Sequence, residues 1–370
     1  MVLNYHTVVL YDIMAMRVVF RDDIAKSNFW EENMRLLRLL APIALILTAG
    51  SVVLAEDYPS MTLRYSSNIP ETVNTSQIDK YFADEVAERS GGAIKIQLFW
   101  ANTLGGEAEI VDLVGSGAID LGLVVTGNQY SRMPFTAVTN ALPFTYKDGP
   151  RLNALTRDIF TNNETIKAEL DAANLHPILY RYLPDYRIYC TEPVKSVADL
   201  HNKKIRSYGT FVPIMLQALG AIPVNIPPND MIQALQSGAM DCSYMFNSSA
   251  TSFKLDQVTK YTTDLSFGVI SAHTLFVSKD KWAEWPENVR ALFEEVAVDA
   301  EKFGDELIAR DEAAATEQIQ QAGMEIVPFE DMDTLNSVVP DMLDVWEAKM
   351  EELGKGEQAK ELAAYIRANR

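Results

Sequence analysis

The chain is poor in the side chains on which most enzyme chemistry is built, with only 4 histidines and 2 cysteines in 370 residues. His176, His201 and His273 stand far apart, without His-x-x-x-His or His-Glu spacing, and His6 falls in an N-terminal region treated separately below. No Gly-x-Ser-x-Gly elbow, Gly-rich phosphate loop or Cys-x-x-Cys pair occurs. These absences leave no cofactor and no metal site to expect, and they argue against an enzyme. A hydrolase built only from carboxylates stays open as a rival, because acidic residues are abundant.

Basic residues are also scarce. Lys and Arg number 32 against 51 Asp and Glu, a net charge of −19. Phosphate contacts need a clustered basic surplus, so nucleic acid is excluded as a partner, as is simple adsorption to an anionic membrane. The same field repels small anions at long range, but exposed charges are screened within about 8 to 10 Å, so a local site decides what a cleft binds. What is present is ordinary for a globular chain: 48% hydrophobic and 22% charged residues. At this length one compact core is near its ceiling, which favours two lobes with a cleft between them.

Long apolar runs are missing except at the start. Met34-Arg35-Leu36-Leu37-Arg38 is a short basic segment, followed by an apolar stretch from Leu39 to Leu54 broken by Pro42, Thr48, Gly50 and Ser51. Val53-Leu54-Ala55 then offers small side chains for cleavage. This is the pattern of a secretory signal over residues 34–55, too short and too interrupted for a membrane span of about 20 residues. Residues 1–33 precede the basic segment without clear periodicity and are expected to be a misannotated extension, with translation starting at Met34. Residues 1–55 carry five basic and five acidic side chains, so the acidity belongs to the rest of the chain. Cys190 and Cys242 can pair in an oxidising compartment, but cysteine is often fully buried as a thiol and a chain this long needs no staple, so free thiols are expected.

Met61, Leu63 and Tyr65 alternate with polar residues as a strand, and Ile78, Phe82 and Val86 recur at helical spacing until Ser90-Gly91-Gly92. Ile94 to Phe99 is a second alternating strand, a helix follows from about Glu107, and Ile119 to Val125 is an apolar strand. Such a β-α-β-α-β rhythm gathers strand C-termini and helix N-termini on one edge, where ligands bind. Ser116-Gly117-Ala118-Ile119-Asp120 recurs as Ser237-Gly238-Ala239-Met240-Asp241, each time between an amphipathic helix and an apolar strand, which predicts two similarly built lobes. Between them, Arg181 to Tyr189 reads as a strand-like run, Ser196 to Leu200 as a capped turn, and Lys203 to Tyr208 as the entry to another strand. Leu275 to Ser278 is a further strand. Pro286 opens a helical pattern exceeding 50 Å at about 1.5 Å per residue, long enough to lie across both lobes. Met324 to Val327 and one or two closing helices complete the chain.

Arg187 and Arg206 sit inside apolar strand patterns beside Ile188 and Ile205. A guanidinium near a sheet edge offers a planar fork that suits a carboxylate. The competing reading for either is an ion pair with Asp185 or Glu192.

At this point the chain resembles the extracytoplasmic solute-binding proteins of TRAP transporters, of the DctP type. The resemblance covers residues 58 to 350. It is carried by the exported start, Tyr65-Ser66-Ser67-Asn68, Leu104-Gly105-Gly106-Glu107, Gly117-Ala118-Ile119-Asp120, Tyr186-Arg187, Lys204-Ile205-Arg206, Ala234 to Asp241 and the long late helix, in that order.

The resemblance implies an α/β clamshell, a two-lobed periplasmic binding protein with a long helix spanning both lobes. Residues 56–185 and about 271–305 are expected in lobe I, with 186–270 and about 306–370 in lobe II. It implies periplasmic capture of a small organic acid by a monomer that is not itself membrane-embedded, and delivery to TRAP membrane subunits for ion-coupled uptake. Arg206 then makes the principal ion pair with the ligand carboxylate and Arg187 assists. Asn68, Glu107, Thr126 and Asn128 supply first-lobe polar contacts. Tyr208, Phe211 and Tyr244 are the pocket aromatics, each with core packing as the competing reading.

Many relatives carry Gly and then a Glu-Asn pair after the second-lobe Asp. Here Cys242-Ser243-Tyr244-Met245 follows Asp241, which removes a polar contact and points to a less hydroxylated ligand. Asn247 either replaces that contact or caps the next helix. A sensory binder that never meets a transporter is the other rival, and sequence does not separate it.

Overall fold

The computed structural model describes residues 57–140 and 142–370. The expected extension and signal segment, residues 1–55, lie outside the described residues. Among the described residues, no helix is long and apolar enough to cross a membrane.

The first sheet contains Met61–Ser66 (β1), Ile94–Phe99 (β2), Leu121–Val125 (β3), Leu175–Leu183 (β4) and Ile270–Ser278 (β10). The second contains Arg187–Cys190 (β5), Lys204–Arg206 (β6), Ile222–Val224 (β7), Cys242–Met245 (β8), Tyr261–Thr263 (β9) and Glu325–Val327 (β11). Their orders are β2-β1-β3-β10-β4 and β11-β9-β5-β8-β6-β7. Strand β10 is antiparallel to both its neighbours and buried along its whole length, as a central strand covered on both faces must be.

The internal echo is structural. In the first sheet β1 is followed by Ser76–Arg89 (α1), β2, Ile110–Gly115 (α2) and β3; in the second, β6 is followed by Phe211–Ala218 (α5), β7, Met231–Gln236 (α6) and β8. Each triplet is parallel, with the first strand in the middle. Gly117 and Gly238 take φ of 72° and 71°, a left-handed bend that glycine adopts without penalty to end each short helix. The aspartate that follows pins the neighbouring strand: Asp120 Oδ2 accepts from Arg64 N at 2.8 Å, and Asp241 Oδ2 from Lys204 N at 2.7 Å. The repeated five residues are therefore a folding device.

Gly149–Asn162 (α3) and Glu164–Ala172 (α4) lead into β4, and Asn247–Ser252 (α7) follows β8. After β10 come Lys279–Glu284 (α8) and the long helix Glu287–Gln321 (α9), of 35 residues and so about 52 Å. Its buried stripe begins at Val289, Leu292, Phe293 and Val296, packed with Leu63, Phe82 and Val86 of the first sheet's layer. It ends at Ile319, packed with Tyr189, Met231 and Met245 of the second. One helix thus serves both sheets.

Three expectations change. The run from Arg181 to Tyr189 is two strands, one in each sheet, because Pro184 cannot donate to a ladder and Tyr186 pairs instead with the returning chain, its N–H donating to Gly268 O at 3.0 Å. The closing helices number three, Met332–Val338 (α10), Met342–Glu352 (α11) and Gly356–Asn369 (α12). Helices α11 and α12 make side-chain contacts with the first-sheet side. Trp346 Nε1 donates to Pro134 O at 3.2 Å, Arg151 Nε to Asn369 O at 3.1 Å, and Tyr365 bonds Asp158. Finally, Cys190 and Cys242 are disulfide-bonded and not free thiols: antiparallel pairing of β5 with β8 sets them directly opposite, Cα to Cα 4.1 Å.

Candidate functional site

Arg206 ends β6. Ile205, its neighbour, is fully buried with Ile188 and Cys242, and alternation along the strand sends Arg206 to the opposite face. Arg206 is 8% exposed. Its Nε donates to Ile226 O and its Nη1 to Tyr244 O, both at 3.1 Å, and its guanidinium lies 5.6 Å from the centre of the Tyr208 ring. Burial lowers its pKa against the pull of Tyr186 and Tyr208, yet a guanidinium stays charged. Among the described residues no carboxylate lies within ion-pair distance of it. A buried charge held only by carbonyls is costly, and an anion completes it.

Arg187 opens β5 on the same face, opposite Met245, while Arg206 is aligned with Ser243 of the same β8 strand. One strand separates the two arginines, about 10 Å laterally, within reach of two long side chains. Arg187 is already engaged: Nη1 donates to Thr263 O at 3.1 Å and Nη2 lies 3.5 Å from Asp185 Oδ2. Burial raises the Glu312 pKa from its ordinary value, opposed by hydrogen bonds from Ser248 and by the Arg187 charge. Asn247 is spent on structure, accepting from the Tyr189 hydroxyl and donating to Thr316 Oγ1 on α9 at 2.9 Å.

On the first-sheet side the structure gathers Asn68, Glu107 and Asn128. Glu107 Oε1 accepts from Asn68 Nδ2 and its Oε2 from Asn128 Nδ2, both at 2.7 Å, and Gln129 Nε2 donates to Glu107 O at 2.7 Å. Ser67 Oγ accepts from Ile69 N at 3.2 Å and so closes the turn that follows Asn68. Asn68 Oδ1 and Thr126 Oγ1 are buried without a hydrogen-bond partner. Residues Thr126–Gln129 form a single 3-10 turn directly after β3. Tyr130, next in the chain, meets Phe211 edge to face at 5.3 Å, which brings this turn against the segment that carries Arg206 and Tyr208.

Tyr244 is a core residue, its ring stacked on Tyr186 at 4.6 Å; what it gives Arg206 is its carbonyl. The Tyr208 hydroxyl is buried with the Tyr186 phenol beside it and no well-formed hydrogen bond. Tyr186 belongs to this group and was not singled out beforehand as a site residue; its position one residue before Arg187 was the available signal. Two open surface cavities lie away from Arg206. One of about 590 Å³ adjoins Phe144, Asp264, Phe329 and Arg370, and another of about 690 Å³ adjoins His176 and Trp282.

Residues 66–352 match the family described as bacterial extracellular solute-binding protein, family 7, or DctP. A solute-binding protein of Albidiferax ferrireducens is 26% identical over 260 residues, 68% of this chain and 74% of its own length. The 2,3-diketo-L-gulonate-binding periplasmic protein YiaO of Escherichia coli is 24% identical over 76% of this chain and 87% of its own length.

Among solved structures, a TRAP periplasmic solute-binding protein from Bradyrhizobium in complex with galacturonate superposes with a TM-score of 0.68 at 23% identity, covering 83% of this chain and 99% of that one. Another, from Pseudomonas putida with bound D-glucuronate, gives 0.67 at 22% identity, covering 83% and 97%. Sheet topology, the shared helix and the family match agree: the chain belongs to the DctP family, the bacterial extracellular solute-binding proteins of family 7.

Proposed function

We propose that this protein captures a small organic acid whose carboxylate docks on Arg206, with Arg187 assisting, and that the cluster of Asn68, Glu107, Thr126 and Asn128 completes the site as the two halves close. The observation that carries this reading is the buried Arg206 guanidinium, which has carbonyl partners and no carboxylate partner among the described residues. Closure around the acid shifts the population towards the form recognised by TRAP membrane subunits, which receive it for ion-coupled uptake.

The relatives narrow the acid. Galacturonate, glucuronate and diketogulonate are sugar acids named for proteins of the same fold or family. The first-sheet side offers acceptors, in Asn68 Oδ1, Thr126 Oγ1 and the Glu107 carboxylate, and a ligand that meets them carries hydroxyl donors. This outweighs the Met245 argument for a less hydroxylated ligand, and a hydroxylated sugar acid is the class proposed.

Mass spectrometry of the small molecules released when the purified protein is denatured tests it. One hydroxylated carboxylic acid, stoichiometric with the protein, is the expected result, and a neutral or cationic ligand contradicts it.

A further inference from the structure

Besides the long helix α9, the chain crosses between the sheets at two places, and these two crossings run side by side. Tyr186 N donates to Gly268 O at 3.0 Å, and Phe267 N to Tyr186 O at 2.9 Å. A third segment joins them: Phe144 N donates to Phe267 O at 2.6 Å and Val269 N to Tyr146 O at 2.9 Å. Gly268 has a φ of +90°, and a Cβ there would stand 2.4 Å from Tyr146 O, so the three segments are pressed together at that point. Together with α9, this bundle is where movement of one sheet relative to the other has to be absorbed.

Asp185 sits in the middle of it with its two oxygens divided. Oδ1 accepts from Ser266 Oγ at 2.5 Å and from Gly268 N at 3.0 Å, fastening the first crossing to the second. Oδ2 faces Arg187 Nη2 at 3.5 Å. Arg187 in turn donates to Thr263 O, the last residue before the second crossing. One carboxylate therefore both splints the crossings and occupies the arginine expected to help hold the ligand. Arg206, with no such counter-ion among the described residues, is the contrast that gives the arrangement meaning.

We infer that Asp185 is an internal competitor of the ligand: it holds Arg187 until an incoming carboxylate displaces it, and because its other oxygen is bonded to the crossing, the displacement links ligand capture to the hinge. This rests on the reading that Arg187 assists the ligand carboxylate. Asp185 is a positioning residue that acts through Arg187. Two carboxylates contend for one guanidinium edge, so the ligand gives up part of its binding energy to release the arginine.

The variant is Asp185→Asn, which keeps an oxygen for Ser266 and Gly268 and removes the charge facing Arg187. Without any ligand, labelling by the arginine reagent phenylglyoxal, resolved by peptide mass spectrometry, is expected to quicken several-fold at Arg187 and stay unchanged at Arg206. With D-glucuronate as the probe in calorimetry, affinity is expected to rise about three- to fivefold, the scale of a partly exposed ion pair. In an Arg187→Gln background the same substitution is expected to change affinity by less than about 1.5-fold, because the effect runs through that pair and not through the general field. Unchanged labelling of Arg187 overturns the inference, as does equal or weaker binding in the variant. If the wild type binds no D-glucuronate, that bears on the choice of acid, and the labelling comparison alone decides the role of Asp185.

Discussion

Arg206→Met is expected to bind the cognate acid at least about thirtyfold more weakly than the wild type, yet to melt no more than about 2 °C lower in the absence of ligand. The first half follows from removing one partner of a buried, hydrogen-bonded charge pair, which costs about 2 to 5 kcal/mol at a binding site, with about 1.4 kcal/mol per tenfold in affinity. The second half separates a binding residue from a structural one. In the ligand-free chain Arg206 is a buried charge held by two carbonyls, Ile226 O and Tyr244 O. Methionine fills a similar volume, relieves the desolvation of an uncompensated charge and forfeits those two bonds, opposing effects of about the same size. Thermal denaturation with and without the acid reads both halves. A variant that melts far lower and still gains the full ligand-induced shift would make Arg206 a structural residue.

Loss of the Cys190–Cys242 bond, which is buried in the hydrophobic core, is expected to be among the largest single stability effects available. The bond closes a loop with a sequence separation of 52, and chain entropy assigns such a closure about 4 kcal/mol. That corresponds to a fall in melting temperature of about 6 °C for a chain of this size. The effect also reaches the ligand. Cys190 shares β5 with Arg187, and Cys242 shares β8 with Tyr244, whose carbonyl orients Arg206. Melting curves recorded with and without a reductant, and on the Cys190→Ala/Cys242→Ala pair, test this. Identical curves for the oxidised and reduced protein would show that strand packing alone fixes the register.

The regular parts of the fold were legible because periodicity reports which face is buried. Leu63 and Tyr65 on β1, Ile78, Phe82 and Val86 on α1, and the stripe from Val289 to Ile308 on α9 all point into the core as their spacing required. The repeated Ser-Gly-Ala-x-Asp segment was legible for the same reason, since a left-handed glycine after a short helix leaves few alternatives. The crossing at Pro184 to Tyr186 was not, because an extended segment that changes sheets has the same alternation as one that continues in the same sheet. The disulfide escaped because pairing depends on the register between two strands far apart in sequence, and no local pattern encodes it.

At the site, the types of residue were readable and their partners were not. Asn68, Glu107 and Asn128 were expected separately and are found bonded to one another, while Asn247 is turned to α9. Asp185 had been weighed as a partner of Arg187, but its second set of bonds, to Ser266 and Gly268, arises only where the two crossings meet. Arg206 differs from all of these in what it lacks among the described residues, a property visible only once their carboxylates have been placed.

The most direct measurement of the central claim is a crystal structure of the protein with the acid released on its denaturation, soaked or co-crystallised. The account predicts a carboxylate oxygen of that acid about 2.7 to 2.9 Å from a terminal nitrogen of Arg206, the range of a charge-assisted hydrogen bond. An acid seated in the cavity beside Phe144 and Arg370, with the Arg206 guanidinium still bonded only to Ile226 and Tyr244, would contradict it.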